Sequence, residues 1–198
     1  MKNVLAVSAC LKRCSVAISY EGNIYEVNEH IDAAANLVWL ANNLIKSYDI
    51  DLRKINGIIA ASGPGSFTGT RVAQSFAKGL ALSLRLPSVS VSYFDVIRKI
   101  YAQQSNTNVV VIKSEKNQVY YHINDYNYGI SSYESLEDKI PDDATLIGDA
   151  IDASPNIVYI TDFREAKNLL HFSHLISRES KISPLYIAHH NQYIINAQ

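Results

Sequence analysis

The residues with the most chemical potential lie in one short run, Ser62 to Arg71, which reads S-G-P-G-S-F-T-G-T-R. Gly63, Gly65 and Gly69 permit backbone conformations or close approaches that side chains forbid, and Pro64 fixes one dihedral among them. Ser66 and Thr68 bring hydroxyls suited to capping a following helix. A glycine-rich turn that opens a helix cradles phosphate when its spacing is right. Here the P-loop pattern G-x-x-x-x-G-K-[ST] fails because Thr70-Arg71 follows Gly69. The dinucleotide pattern G-x-G-x-x-G fails because the third glycine arrives one residue late. A nucleophile elbow needs G-x-S-x-G, whereas Gly65 directly precedes Ser66, so neither Ser66 nor Ser62 reads as an attacking hydroxyl. The plainer reading, a tight turn that packs a helix onto a sheet, stands beside these. Arg71 falls in the first helical turn, where its charge opposes the helix dipole, so a carboxylate or a loop carbonyl is expected beside it.

Other chemistry-bearing side chains are sparse. Cys10 and Cys14 form a C-x-x-x-C pair with no second pair, which is no zinc ribbon, and they read as reduced, packed thiols. His171 and His174 are spaced i, i+3 and read as a polar helix face. His189 and His190 are neighbours whose side chains point apart in any regular element.

These residues need elements to hold them. Val4 to Val7 is a buried strand, Ser15 to Tyr20 alternates, and Gly22-Asn23 signals a hairpin into a third strand, Ile24 to Asn28. A helix is expected from Asp32 to Tyr48, with Leu37, Leu40, Ala41, Leu44 and Ile45 on its apolar face. Ile55 to Ala61 is a near-continuous apolar strand, as for a sheet covered on both faces. The glycine loop and a second helix, Thr70 to Leu84, follow. Pro87 ends that unit, Ser88 to Val91 is strand-like, and Tyr93 to Gln103 is a third helix. Ser105 to Asn108 marks a boundary between a first lobe, residues 1–105, and a smaller one, 106–198. In the second, Val109 to Ile112 and Gln118 to Ile123 pair as a hairpin. Leu146-Ile147 and Ile157 to Ile160 are short strands, and Asp162 to Ile176 is helical, its last segment a candidate to return to the first lobe. The sequence shows no internal repeat.

Composition bounds the function. A chain of 198 residues with 47% hydrophobic and 19% charged residues is an ordinary globular protein. Its net charge of −1 carries no basic stripe of the kind a stand-alone RNA binder shows. No signal peptide or membrane-length apolar run is read, so the expectation is a cytoplasmic protein.

The run G-P-G-S-F-T-G, with the following Arg71, A-K-G-L-A and Pro87 in register, resembles the signature of the TsaB family, also called YeaZ and earlier glycoprotease-like. Val4 to Val7, Cys14 to Ala17, His30, Val119-Tyr120 and Pro184 to Ile187 extend the likeness in order along the chain. The resemblance implies an α/β, actin-like ATPase (ribonuclease H-like) fold of two lobes, the first β-β-β-α-β-α-β-α and the second reduced. It implies a non-catalytic dimerisation or scaffold subunit that works with a TsaD-like catalytic subunit and a TsaE-like ATPase. Together these make threonylcarbamoyladenosine in tRNA beside the anticodon. A homodimer is a further possibility, tRNA is met only indirectly, and no cofactor or metal is implied. Its docking face would be the two long helices, through Leu37, Leu40, Leu44, Arg71, Ala73, Ala77, Leu80 and Leu84. Gly63, Pro64, Gly65, Ser66, Phe67, Thr68 and Gly69 form a structural loop. The alternatives are an actin-like nucleotide-binding ATPase and a glycopeptidase-like hydrolase. Against the first, Ser8 stands where the family pattern has an acid, Lys113-Ser114-Glu115 replaces an Asp-Ala-Arg stretch, and Asn117 replaces a glycine. Against the second, the H-x-x-x-H pair of TsaD is reduced here to His30, with Ala34 four residues on.

Overall fold

The computed structural model describes residues 3–10, 13–30, 33–101, 107–114, 117–124, 127–150, 157–185 and 187. The chain forms two units, Met1–Tyr93 with Arg164–Leu185, and Phe94–Phe163.

The first unit opens with β1 (Val4–Ser8), β2 (Cys14–Tyr20) and β3 (Asn23–Glu29), an antiparallel meander. Helix α1 (Ala33–Ser47) leads to β4 (Gly57–Gly63), and α2 (Phe67–Leu84) leads to β5 (Ser88–Ser92). The sheet order is β3-β2-β1-β4-β5, with β4 parallel to both β1 and β5. Both helices are crossovers between parallel strands and advance the same way along the sheet. The right-handed rule therefore sets them side by side on one face. That face is the apolar core: Leu5, Val7, Val16, Ile18, Ile58 and Ala60 meet Leu37, Leu40, Leu44, Ala73, Ala77 and Ala81. On the opposite face lies a 3-10 helix, Ala166–Leu175. It buries Ala166, Leu169 and Phe172, a spacing of three that matches a three-residue turn. The sequence reading of an α-helix from Asp162 to Ile176 is corrected to this tighter form.

Covering both faces explains the strand sequences. β1, β2 and β4 are buried at every position. The small polar face of β2 lies under the returning segment, where Ser15 Oγ accepts the Ala166 amide at 2.8 Å and donates to Glu26 Oε1 at 3.2 Å.

The second unit contains α3 (Tyr93–Tyr101), β6 (Asn108–Lys113), β7 (Gln118–Asn124), β8 (Asn127–Ser132), α4 (Tyr133–Glu137), β9 (Thr145–Gly148) and β10 (Ile157–Tyr159). Its sheet runs β10-β9-β6-β7-β8, again three antiparallel strands extended by two parallel ones. The strand order thus repeats that of the first sheet, although the sequence shows no repeat. The reduction lies in the connections: α4 has five residues where α1 has fifteen. The divide between units falls before α3, not after it as the sequence suggested. The Phe94 ring lies 5.0 Å from that of His122, and Arg98 Nη2 donates to the Ile123 carbonyl at 2.9 Å, so α3 belongs with β7.

Each long helix has a buried side and an exposed one. Leu40 is 1% exposed and Leu82 83% exposed. Leu40→Ala should cost about 2–5 kcal/mol, and Leu82→Ala should stay within about 0.5 kcal/mol, in urea denaturation. Equal losses would contradict the burial described.

Candidate functional site

The glycine loop is a seat for α2. Gly63 holds φ of 111° and Gly65 of 153°, both in the region that favours glycine, and the Gly63–Pro64 bond is cis. Ser66 caps the helix, its Oγ accepting the Gly69 amide at 3.2 Å, while its carbonyl accepts the Thr70 amide at 2.9 Å. A Cβ on Gly69 would lie 1.9 Å from the Ala9 carbonyl oxygen, so only glycine lets α2 start this close to the end of β1. Thr70 Oγ1 then meets Cys10 Sγ at 3.2 Å, and Gln74 Nε2 donates to the Ala61 carbonyl at 3.3 Å. Ser62 is buried, and its carbonyl accepts the Leu185 amide. Gly69 is used for a close approach, and the Ser66 side chain takes one of the helix-start amides.

At the end of β1, Ser8 is buried and donates to the Tyr93 hydroxyl, which donates in turn to the Arg164 carbonyl at 3.2 Å. Burial first, and then the nearby Cys10, push the Tyr93 phenol far above its ordinary range, so it stays a neutral donor. At the end of β6, Lys113 is exposed, and its amide donates to Asp149 Oδ1 at 2.8 Å. Asn117 adopts φ of 57°, taking the left-handed conformation that a glycine would otherwise supply. A magnesium nucleotide, which the actin-like fold brings to mind, needs carboxylate and backbone donors at these strand ends. A buried Ser–Tyr pair, a capped helix start and an exposed lysine do not fit that group.

The remaining candidates are placed as follows. His30 Nε2 accepts from Arg13 Nη2 at 3.0 Å, beside an ion pair of Arg13 with Glu165 at 3.8 Å. His171 and His174 are exposed, and the His174 ring stacks on Phe172. Among the described residues no three His, Cys, Asp or Glu side chains converge on a metal position. His189 and His190 lie outside the described residues. Cys10 and Cys14 are free thiols, both buried.

The helical layer corrects the expected docking residues. Leu37, Leu40, Leu44, Ala73 and Ala77 are all buried in the chain's own core, and Leu80 and Leu84 are half-buried. The alanines that suggested a partner's close approach instead let α2 lie close on its own sheet. Arg71 is exposed, with its guanidinium 3.6 Å from the centre of the Phe67 ring, a cation–π contact within the first turn of α2. The outer face is made of other residues: Val38 and Trp39 on α1, and Phe67, Lys78 and Leu82 on α2, with Val38 64% exposed and Trp39 55%. Sequence periodicity selected the stripe that buries. Trp39, which the sequence reading groups with Leu37, Leu40 and Leu44 as bulk on α1, is the one of those four that is exposed.

Two mixed sheets of one strand order, the first carrying helices on one face, define a protein of the actin-like, ribonuclease H-like fold. A solved structure from Pseudomonas aeruginosa, described as similar to peptidase YEAZ, shares it with a TM-score of 0.74 at 21% identity. The match covers 95% of this chain and 100% of that one. The family model for TsaD, tRNA N6-adenosine threonylcarbamoyltransferase, matches residues 28–181. Over 144 residues the chain is 29% identical to the tRNA threonylcarbamoyladenosine biosynthesis protein TsaB of Buchnera aphidicola subsp. Acyrthosiphon pisum, covering 69% of this chain and 65% of that protein. Over 94 residues it is 32% identical to TsaB of Escherichia coli, covering 45% of this chain and 39% of that protein. The chain belongs to the family that the TsaD model describes, on its TsaB (YeaZ) side. The matched stretches span less than two thirds of those curated relatives.

Burial pushes the Cys10 thiol up to about 11, against the weaker pull of the Thr70 hydrogen bond, and burial with the Glu29 charge does the same for Cys14. Unfolded, these thiols ionise near their ordinary value of 9.0. Their contribution to stability is therefore full below pH 9.0 and is lost as pH rises through about 11. The melting temperature should hold level to pH 9 and fall beyond it, with a shallower fall in Cys10→Ala. A level profile to pH 11 would contradict the shift.

Proposed function

We propose that this chain is a non-catalytic scaffold subunit in the formation of threonylcarbamoyladenosine in tRNA. It holds a TsaD-type catalytic subunit against the outer face of α1 and α2, and a TsaE-like ATPase joins the pair. In this reading it meets tRNA only through its partners and works in the cytoplasm. The observation that carries the reading is the apolar outer face: Val38, Trp39 and Leu82 project from two helices whose opposite faces are already satisfied by the core. Large exposed apolar side chains gathered on one layer mark a protein contact. Relatives named as TsaB biosynthesis proteins, and the match to the TsaD model, support the partner's identity. The strand ends support a subunit without bond-making residues, since Ser8 is tied to Tyr93 and Ser66 to its helix.

The buried leucines and alanines named from sequence act in this reading from beneath, by fixing the angle of the helices. Arg71 keeps a place on the face, on the exposed side of α2.

Size-exclusion chromatography with light scattering should give a one-to-one complex of this chain with the TsaD-type subunit of the same organism. Leu82→Glu should weaken it by about tenfold or more while leaving the melting temperature of the free chain unchanged. Failure to form any complex would falsify the reading.

A further inference from the structure

Among the described residues the two sheets present four edges, and three of them are guarded. β3 carries Glu26 and Glu29, charges that discourage an added strand. β5 is strapped: Ser180 Oγ donates to the Ser88 carbonyl, and Ser90 Oγ accepts the Ser183 amide and donates to the Ser183 carbonyl, each at 3.0 Å. β10 has only three residues. The fourth edge, β8, runs for six residues as N-Y-G-I-S-S, with no charge and no proline.

The register shows which backbone groups of β8 stay open. The Ser114 amide donates to the Gln118 carbonyl at 2.9 Å, so by alternation Tyr120 and His122 bond to β6. Val119 and Tyr121 then face β8, where Ser131 and Gly129 stand opposite them. Tyr128, Ile130 and Ser132 therefore turn their amides and carbonyls away from β7. The Ser132 carbonyl takes the Ser131 hydroxyl at 2.8 Å, as a group facing outward can. Among the described residues, nothing bonds the outward amides and carbonyls of Tyr128 and Ile130.

We propose that β8 is a second protein-binding surface, which receives an extended segment of another chain as a sixth strand, and that this segment is basic where it passes α4. The proposal goes beyond the scaffold reading and uses the other unit of the chain.

Backbone bonds along an open edge supply affinity, and the flanking charge supplies selection. Residues 117–138 include no Lys or Arg, whereas Glu134, Glu137 and Asp138 are exposed directly after the strand. The cations of this unit are placed elsewhere. Lys139 lies 5.6 Å from the centre of the Tyr121 ring, Arg98 bonds the Ile123 carbonyl, and Lys113 is on β6, two strands in. A second copy is the poorer occupant. Two β8 edges paired antiparallel would set the acids of each α4 against a stretch of the other copy that holds no cation. A nucleic acid would meet the same carboxylates with its phosphates.

The test uses the full chain, isotope-labelled, with a peptide of alternating threonine and valine flanked by lysines as the probe. Amide exchange and light scattering are the readouts. In the chain alone the Tyr128 and Ile130 amides should exchange fast, and those of Gly129 and Ser131 slowly. Saturating probe should slow Tyr128 and Ile130 about tenfold or more. The same peptide flanked by glutamates should bind about tenfold more weakly, and the lysine peptide with every amide methylated should not bind. Ile130→Pro deletes one outward amide and spares the ladder to β7, so it should abolish binding and keep the melting temperature. The methylated probe keeps the test decisive should that variant fail to fold. Tyr128 and Ile130 amides already slow in the dilute chain would mean a covered edge and overturn the proposal. Protection that rises with chain concentration alone would make a second copy the occupant and overturn it too. Equal binding of the lysine and glutamate peptides would overturn the basic partner, and no protection by the lysine peptide would overturn the surface itself.

Discussion

The contact on which the rest of the first unit depends is that between Gly69 and the Ala9 carbonyl. It fixes how near α2 can start to the end of β1, and an added methyl group would occupy the space of that oxygen. Once α2 starts there, Ala73, Ala77 and Ala81 descend onto the sheet at intervals of one turn. Their small size keeps the helix low. A low α2 leaves room for Leu37, Leu40 and Leu44 of α1 to fill the remaining volume. The outward display of Trp39 and Leu82 follows from this packing, because a helix whose narrow face is pinned has no freedom to roll.

That constraint also explains what became of a loop that looks made for anions. A glycine-rich helix start can turn its amides to a ligand or to its own chain. Here the Ser66 side chain takes the Gly69 amide, and Gly69 itself is committed to a close approach to Ala9. The neighbouring end of β1 is closed by the Ser8–Tyr93–Arg164 chain of hydrogen bonds. What could have been a reactive edge is a well-packed joint.

Much of this was legible in the sequence, for reasons that can be named. The glycine loop, β1, β4 and both long helices are written in local signals: positive-φ glycines, a capping serine, apolar runs and a 3.6-residue period. β8 was missed because N-Y-G-I-S-S neither alternates nor avoids glycine, and its pairing with β7 is what makes it a strand. The segment was read with Ala166, Leu169, Leu170 and Ser173 on one face, a 3.6-residue spacing, whereas burial of Phe172 after Ala166 and Leu169 follows the tighter turn. The residues named for docking fell on the stripe that the chain itself buries, because periodicity shows which stripe is apolar and not what covers it. The Ser8–Tyr93 pairing lay beyond reach, since the partners are 85 residues apart in sequence.

The return of Arg164–Leu185 to the first unit has a consequence for how the chain comes into being. Translation delivers the meander, α1, β4, α2 and β5 first, and one side of that sheet can close at once under its own helices. The other side must wait while some seventy residues of the second unit emerge before Ala166–Leu175 arrives to cover it. Throughout that interval Ala6, Ala17, Ile59 and Ala61 stand without their lid. The small, shallow side chains on that side, with Ser15 and Ser19 among them, give a nascent chain little grease to offer to a neighbour on the ribosome.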